Sequence, residues 1–175
     1  MKELINSKRI EIRTKILAKQ IEDRHRDDKT PIVMICLLNG GFMFFSDLVR
    51  NIELNLQCDF MRVKSYTGKK KQGDIQITKD LETSIKGKHV YIVDDIFDTG
   101  NTMKAVAQYL KVKKPRSINV IALVLRNENK WYPEQDDPLI NTVETGFTIQ
   151  DEWIVGYGMD NEQGFLRNYP YILEL

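Results

Sequence analysis

The stretch Val90-Tyr91-Ile92-Val93-Asp94-Asp95-Ile96-Phe97-Asp98-Thr99-Gly100-Asn101-Thr102-Met103 decides the reading of this chain. An apolar, β-type run ends in two adjacent carboxylates, Asp94 and Asp95. Asp98 follows two residues later, and Thr99-Gly100-Asn101-Thr102 then leads into helical spacing. In an open α/β sheet, ligands bind beyond the carboxyl ends of the strands. A helix that begins there presents free N–H groups and the positive end of its dipole to an anion. The segment therefore offers a phosphate cradle at Thr99 to Thr102. Asp94 and Asp95 lie beside it for a metal-bound sugar, and Asp98 stands at the mouth, free to take a proton.

The flanking chain supports such a sheet. Residues 7 to 26 carry Ile10, Ile16, Leu17 and Ile21 among charges, the spacing of an amphipathic helix. Ile32 to Leu38 is apolar throughout, as in a strand buried on both faces. Asn39-Gly40-Gly41 breaks it, and Phe42 to Ile52 returns to helical spacing. Asp59 to Tyr66 reads as a strand and Thr67 to Thr78 as a polar, lysine-rich mobile loop. Lys88 to Asp94 reads as a second buried strand, about Thr99 to Val112 as a helix, and Ser117 to Leu125 as a third buried strand. Asn127 to Pro138 reads as surface loop, Trp153 to Tyr157 as a short apolar segment, and the remainder as a polar tail. Buried strands alternating with helices predict an α/β fold, a parallel sheet with helices on both faces.

Bulk properties bound the function. With 175 residues, 42% of them hydrophobic, the chain can build one domain with a real core. A net charge of +1 calls for neither nucleic acid nor an anionic membrane as partner. Cys36 and Cys58 lie in apolar runs outside any Cys-x-x-Cys motif, so both are expected buried and reduced. No apolar run suits a signal peptide or a bilayer span, and a soluble, cytoplasmic protein is expected. His25 and His89 read as surface residues without metal-ligand company. Walker A and Gly-x-Gly-x-x-Gly patterns are absent.

The string from Val90 to Thr102 resembles the phosphoribosyl-pyrophosphate signature of the type I phosphoribosyltransferases. Leu38-Asn39-Gly40-Gly41, on its own a tight turn, is similar to the pyrophosphate loop of the purine branch. There the peptide before the glycines, here Leu38–Asn39, is often non-proline cis. Many relatives have Lys or Arg in place of Asn39. Ser65 and Tyr66 resemble the Ser-Tyr pair of the family's catalytic loop, which closes over the pyrophosphate. Asp151-Glu152-Trp153-Ile154-Val155-Gly156-Tyr157-Gly158-Met159-Asp160 resembles the hypoxanthine–guanine branch signature. Alone, Trp153 reads as core, Arg126 as an arginine snorkelling at a strand end, and Lys69 to Lys71 as a solvated tip.

The resemblance implies a set of roles. Asp94 and Asp95 hold the ribose hydroxyls and the water shell of a first Mg2+. Thr99, Gly100, Asn101 and Thr102 hold the 5-phosphate, while Asn39, Gly40, Gly41 and Arg167 contact pyrophosphate. Asp98 is the general base, Trp153 stacks on the purine, Ile154 offers backbone groups to its edge, and Asp160 binds a second Mg2+. Arg126 stands where the family usually has Lys, opposite the purine's exocyclic oxygen. The implied fold is a single phosphoribosyltransferase domain, with a core of about 1–140 and a hood of about 141–175 that includes part of the N-terminus. The implied activity is transfer of phosphoribosyl from phosphoribosyl pyrophosphate to hypoxanthine and guanine, releasing pyrophosphate, in a homodimer or homotetramer. A xanthine–guanine enzyme is the neighbouring alternative. A regulatory protein that keeps the fold and binds nucleic acid is a more distant one.

Overall fold

The structure, a computed structural model, describes residues 1–65, 75–126 and 140–175. The elements run β1 (Lys2–Ile5), α1 (Ser7–His25), β2 (Ile32–Leu38), α2 (Phe42–Arg50), β3 (Leu56–Ser65), β4 (Ile75–Lys79), β5 (His89–Phe97), α3 (Asn101–Lys111), β6 (Ser117–Arg126), β7 (Ile140–Ile149), β8 (Ile154–Val155) and β9 (Ile172–Glu174). A six-stranded sheet is ordered β4-β3-β2-β5-β6-β7. It is parallel except where β4 runs antiparallel to β3. A small antiparallel sheet, β1-β9-β8, lies apart from it.

The near-continuous apolar strands are those of a sheet covered on both faces. Along β2, Ile32, Met34 and Cys36 join one buried cluster, and Val33, Ile35 and Leu37 join the other. The first cluster takes Ile10, Leu17, Ala18 and Ile21 of α1 with Phe44, Phe45 and Leu48 of α2. The second takes Met103, Val106, Ala107 and Leu110 of α3. Helices therefore cover both faces, as expected. The Asn6 side chain accepts a hydrogen bond from the Arg9 amide at 2.9 Å, which starts α1 at the residue where the apolar spacing begins.

Several expectations need correction. Ile75–Lys79, read as the end of a mobile loop, is the edge strand β4, because Ile75 and Ile77 turn inward while Gln76 and Thr78 face solvent. Residues 67–74, expected as a mobile loop, and 127–138, expected as a surface loop, lie outside the described residues. β5 does not stop at Asp94: it continues to Phe97, pairing Ile96 with Val124 and Phe97 with Leu125. β7 begins at residue 140 and belongs to the large sheet beside β6. Cys36 is buried, but Cys58 is exposed on β3. His25 and His89 are both buried rather than superficial, because the end of α1 packs over the start of β5. No helix among the described residues is long and apolar enough to cross a membrane.

Candidate active site

The site gathers at the carboxyl ends of the parallel strands. β2 pairs with β5 only as far as Cys36 opposite Val93, then turns away. β5 runs on, so Asp94 and Asp95 border the space that β2 vacates. The turn Asn39-Gly40-Gly41 packs across them, and the Leu38–Asn39 peptide is cis, as the resemblance implies. A β-carbon on Gly40 would lie 1.8 Å from Asp95 Oδ2. Only glycine lets the turn approach the acids so closely.

Asp94 and Asp95 are half-buried. Asp94 Oδ1 accepts a hydrogen bond from the Asp95 amide at 3.0 Å, and Asp95 Oδ1 accepts one from the Ile96 amide at 2.9 Å. Burial first, and the neighbouring Asp95 charge second, push the Asp94 carboxyl well above the usual carboxylate range. Crowded, desolvated carboxylates of this kind gain from a nearby cation, and an all-oxygen donor set suits a hard divalent ion.

Asp98, Thr99 and Gly100 form the turn from β5 to α3, and Gly100 has φ +74°. α3 begins at Asn101, two residues later than expected. Gly100 gives it no side-chain cap, its first turn holds no acid, and Thr99 Oγ1 stands 3.5 Å from the Asn101 amide, so most of the amides there are open to an anion. Asp94, Asp95, Asp98, Thr99, Gly100 and Thr102 line a cavity of about 180 Å³ there. A larger cavity, about 550 Å³, lies between α1, α2 and Tyr157, away from these acids. The smaller one is the better candidate because it alone unites paired acids with an open helix terminus.

Asp98 is exposed, and its Oδ1 lies 3.2 Å from Arg126 Nε at the end of β6. Arg126 Nη1 also donates to the carbonyls of Gln150 (3.2 Å) and Glu152 (2.8 Å). One guanidinium thus ties the β5–α3 turn to the segment that leads into Trp153. The Trp153 side chain is 58% exposed, so it is not core. It lines a surface cavity of about 360 Å³ with Asn161, Glu162 and Leu175. Ile154 buries its side chain and lies in β8, opposite Glu174.

Asp160 and Arg167 meet each other: Arg167 Nη2 is 2.5 Å from Asp160 Oδ2, and Nη1 donates to the Gly158 carbonyl at 2.6 Å. Gly158, at φ +102°, presses on the first turn, where a β-carbon would lie 2.1 Å from the Gly40 carbonyl. This contact joins Asp160 and Arg167 to the Gly40 side, and Gly158 was not among the residues expected at the site. Its signal was present in the Gly-Tyr-Gly string. The Tyr157 hydroxyl anchors the same loop by donating to Asp47 on α2. Ser65 ends β3, with its backbone opposite Ile75, and Tyr66 lies outside the described residues.

The family model of the phosphoribosyl transferase domain matches residues 2–162. The chain is 38% identical over 173 residues to a hypoxanthine phosphoribosyltransferase of Buchnera aphidicola, covering 98% of this chain and 94% of that one. It is 40% identical over 174 residues to a hypoxanthine-guanine phosphoribosyltransferase of Aquifex aeolicus, covering 98% and 93%. The crystal structure of a hypoxanthine phosphoribosyltransferase from Staphylococcus aureus superposes with a TM-score of 0.88 at 35% identity, covering all of this chain and 91% of that one. The chain therefore belongs to the phosphoribosyltransferase family, and within it to the hypoxanthine phosphoribosyltransferases.

Proposed function

We propose that this protein joins hypoxanthine, and guanine, to phosphoribosyl pyrophosphate, giving IMP or GMP and releasing pyrophosphate. The observation that carries the reading is the cavity where Asp94 and Asp95 face the uncapped amino end of α3, with Asp98 exposed at its mouth. The α3 terminus and Thr99 to Thr102 hold the 5-phosphate. Asp94 and Asp95 take the ribose hydroxyls. Asn39, Gly40, Gly41 and Arg167 contact the pyrophosphate. Mg2+ bound near Asp94 and Asp95, with a second ion at Asp160, supplies charge neutralisation for the leaving pyrophosphate.

Purine N9 attacks the anomeric carbon as the bond to the pyrophosphate oxygen breaks. The proton on N7 passes to Asp98, whose separation from Arg126 opens to admit the base. Arg126 donates to the exocyclic oxygen, Trp153 covers one face of the ring, and Ile154 offers backbone groups to its edge. Ser65 and Tyr66 cover the pyrophosphate and keep water from the sugar cation. The chain works as one domain, with the β1-β9-β8 sheet and the Gly156–Arg167 loop as hood, in a homodimer or homotetramer.

A base panel tests the reading. Hypoxanthine, guanine, xanthine and adenine are each supplied with phosphoribosyl pyrophosphate and Mg2+, and nucleotide formation is followed. The first two are expected to react. Rapid turnover of xanthine at the expense of hypoxanthine would move the assignment to a xanthine–guanine enzyme. Failure of every base, with salt-sensitive nucleic-acid binding instead, would favour the regulatory alternative.

A further inference from the structure

A second cluster of metal-ligating side chains lies at the opposite end of the sheet. β5 carries Asp94 and Asp95 towards its carboxyl end and His89 at its first residue. There His89 meets His25, in the last turn of α1, with ring centroids 4.5 Å apart. Asp28, in the turn that follows, completes the group. One ring nitrogen of each histidine and one Asp28 oxygen all lie within 4.8 Å of one another. His25 is only 4% exposed, and its Nδ1 is buried with no hydrogen-bond partner. A buried, unpartnered imidazole nitrogen is costly unless something occupies its lone pair.

The geometry points to a divalent transition-metal site, of the zinc class, ligated by His25 Nδ1, His89 Nε2 and Asp28. Each ligand already has the outer partner such a site needs. His25 Nε2 lies 2.7 Å from the Tyr91 hydroxyl, which leaves Nδ1 for the ion. His89 Nδ1 lies 2.5 Å from Ser117 Oγ, which leaves Nε2. Asp28 Oδ1 accepts from the Thr30 amide at 2.8 Å, while Oδ2 lies 2.9 Å from His89 Nε2. In a tetrahedral zinc site, ligand atoms about 2.0–2.1 Å from the ion stand roughly 3.3 Å apart. The His89–Asp28 gap must widen slightly, and the group must draw in from its 4.8 Å outer spacing. Asp28 can give, because it lies in an exposed turn.

Burial first, then the neighbouring His89 and Arg24, lower the His25 imidazole from the ordinary 6.5 to about 4. Hydrogen bonds from Thr30, and then the His89 contact, hold the Asp28 carboxyl below the usual carboxylate range. Of the nearby cations, Arg24 pairs with Glu144 and Arg26 with Asp23, and Lys29 borders the cavity itself. Glu144 Oε2 is itself buried without a partner. A cavity of about 310 Å³, bordered by His25, Asp28, Thr30, Pro31 and Leu54, gives an ion its path. Two imidazoles and one carboxylate select Zn2+ or Co2+ over Mg2+, which prefers oxygen alone. The ion would clamp the end of α1 to the amino ends of β5 and β6, remote from the Mg2+ acids.

The test uses chelator-stripped whole protein loaded with Co2+ or Zn2+ in excess Mg2+. One equivalent of Co2+ is expected to stay bound after desalting, with intense low-symmetry d–d absorption. A hundredfold excess of Zn2+ over its Kd should raise Tm by about 5–10 °C. Asp28→Asn and His25→Gln should both lose the equivalent and the Tm rise, while Asp94→Asn keeps them. If His25→Gln does not fold, Asp28→Asn decides, since it leaves both buried imidazoles in place. Failure of the native protein to retain the ion, or its retention by Asp28→Asn, overturns the site.

Discussion

Asp98 differs from its two acidic neighbours in exposure and in company. Asp94 and Asp95 lie within β5 and are half-buried, whereas Asp98 lies outside it and touches Arg126 at 3.2 Å. The proposed general base needs that freedom. Asp98→Asn should therefore lower turnover by roughly two or more orders of magnitude, with the KM for phosphoribosyl pyrophosphate little changed. Steady-state kinetics check this, and wild-type turnover would remove the general-base role. Trp153 is argued from the same kind of observation. Its exposure means that Trp153→Ala should leave Tm nearly unchanged yet weaken purine or nucleotide binding by ~1–3 kcal/mol, the scale of base stacking. Calorimetric titration with IMP measures that loss, and a large Tm drop with unaltered affinity would return Trp153 to the core. The two cysteines diverge for a related reason. Burial first, then the Asp94 and Asp95 charges, push the Cys36 thiol up to about 12, while Cys58 is exposed on β3. A thiol reagent at pH 8 should label Cys58 alone in the folded protein and both cysteines in denaturant, as intact mass will report.

At the scale of elements, buried parallel strands were the most legible feature. β2, β5 and β6 announce themselves because burial on both faces requires unbroken apolar runs, and α1, α2 and α3 because one face must be apolar. The acid pair and its helix were legible for the same reason, since both lie next to such runs. The edges were not. β7 alternates Val143, Phe147 and Ile149 with polar residues, and only its pairing with β6 identifies it as part of the sheet. β1 and β9 are four and three residues long, and each depends on a partner at the far end of the chain. The histidine cluster was missed because His25 and His89 are 64 positions apart and meet only through packing. The Gly40–Gly158 contact is likewise a meeting of two loops that neither encodes alone. Gly158→Ala tests it. The new methyl would strike the Gly40 carbonyl at a φ that disfavours any side chain. A cost of about 2–4 kcal/mol is expected. The first turn would also shift away from Asp95. Thermal unfolding should show the loss, and the KM for phosphoribosyl pyrophosphate should rise with it.

At the scale of the whole molecule, the small sheet has no core of its own. Ile5, Ile154, Ile172, Tyr157 and Met159 belong to the same buried cluster as Ile10 and Leu17 of α1 and Phe45 of α2. The Tyr157 hydroxyl is also bonded to Asp47 of α2. A sheet built this way gains little by unfolding separately, because its apolar face is the far wall of the first core. The consequence can be measured. Ile172 lies in the central strand of the small sheet and is fully buried. Ile172→Ala should cost about 2–5 kcal/mol, the range for removing a buried aliphatic side chain. That loss should appear as one cooperative transition shifted to lower urea, not as a new early step. Trp153 fluorescence in a Trp131→Phe background follows the hood, and far-UV circular dichroism follows the large sheet and helices. The two curves should coincide in both the parent and Ile172→Ala. If Trp153 reports unfolding at lower urea than the circular dichroism does, the hood is a separate cooperative unit, and the single-domain proposal fails.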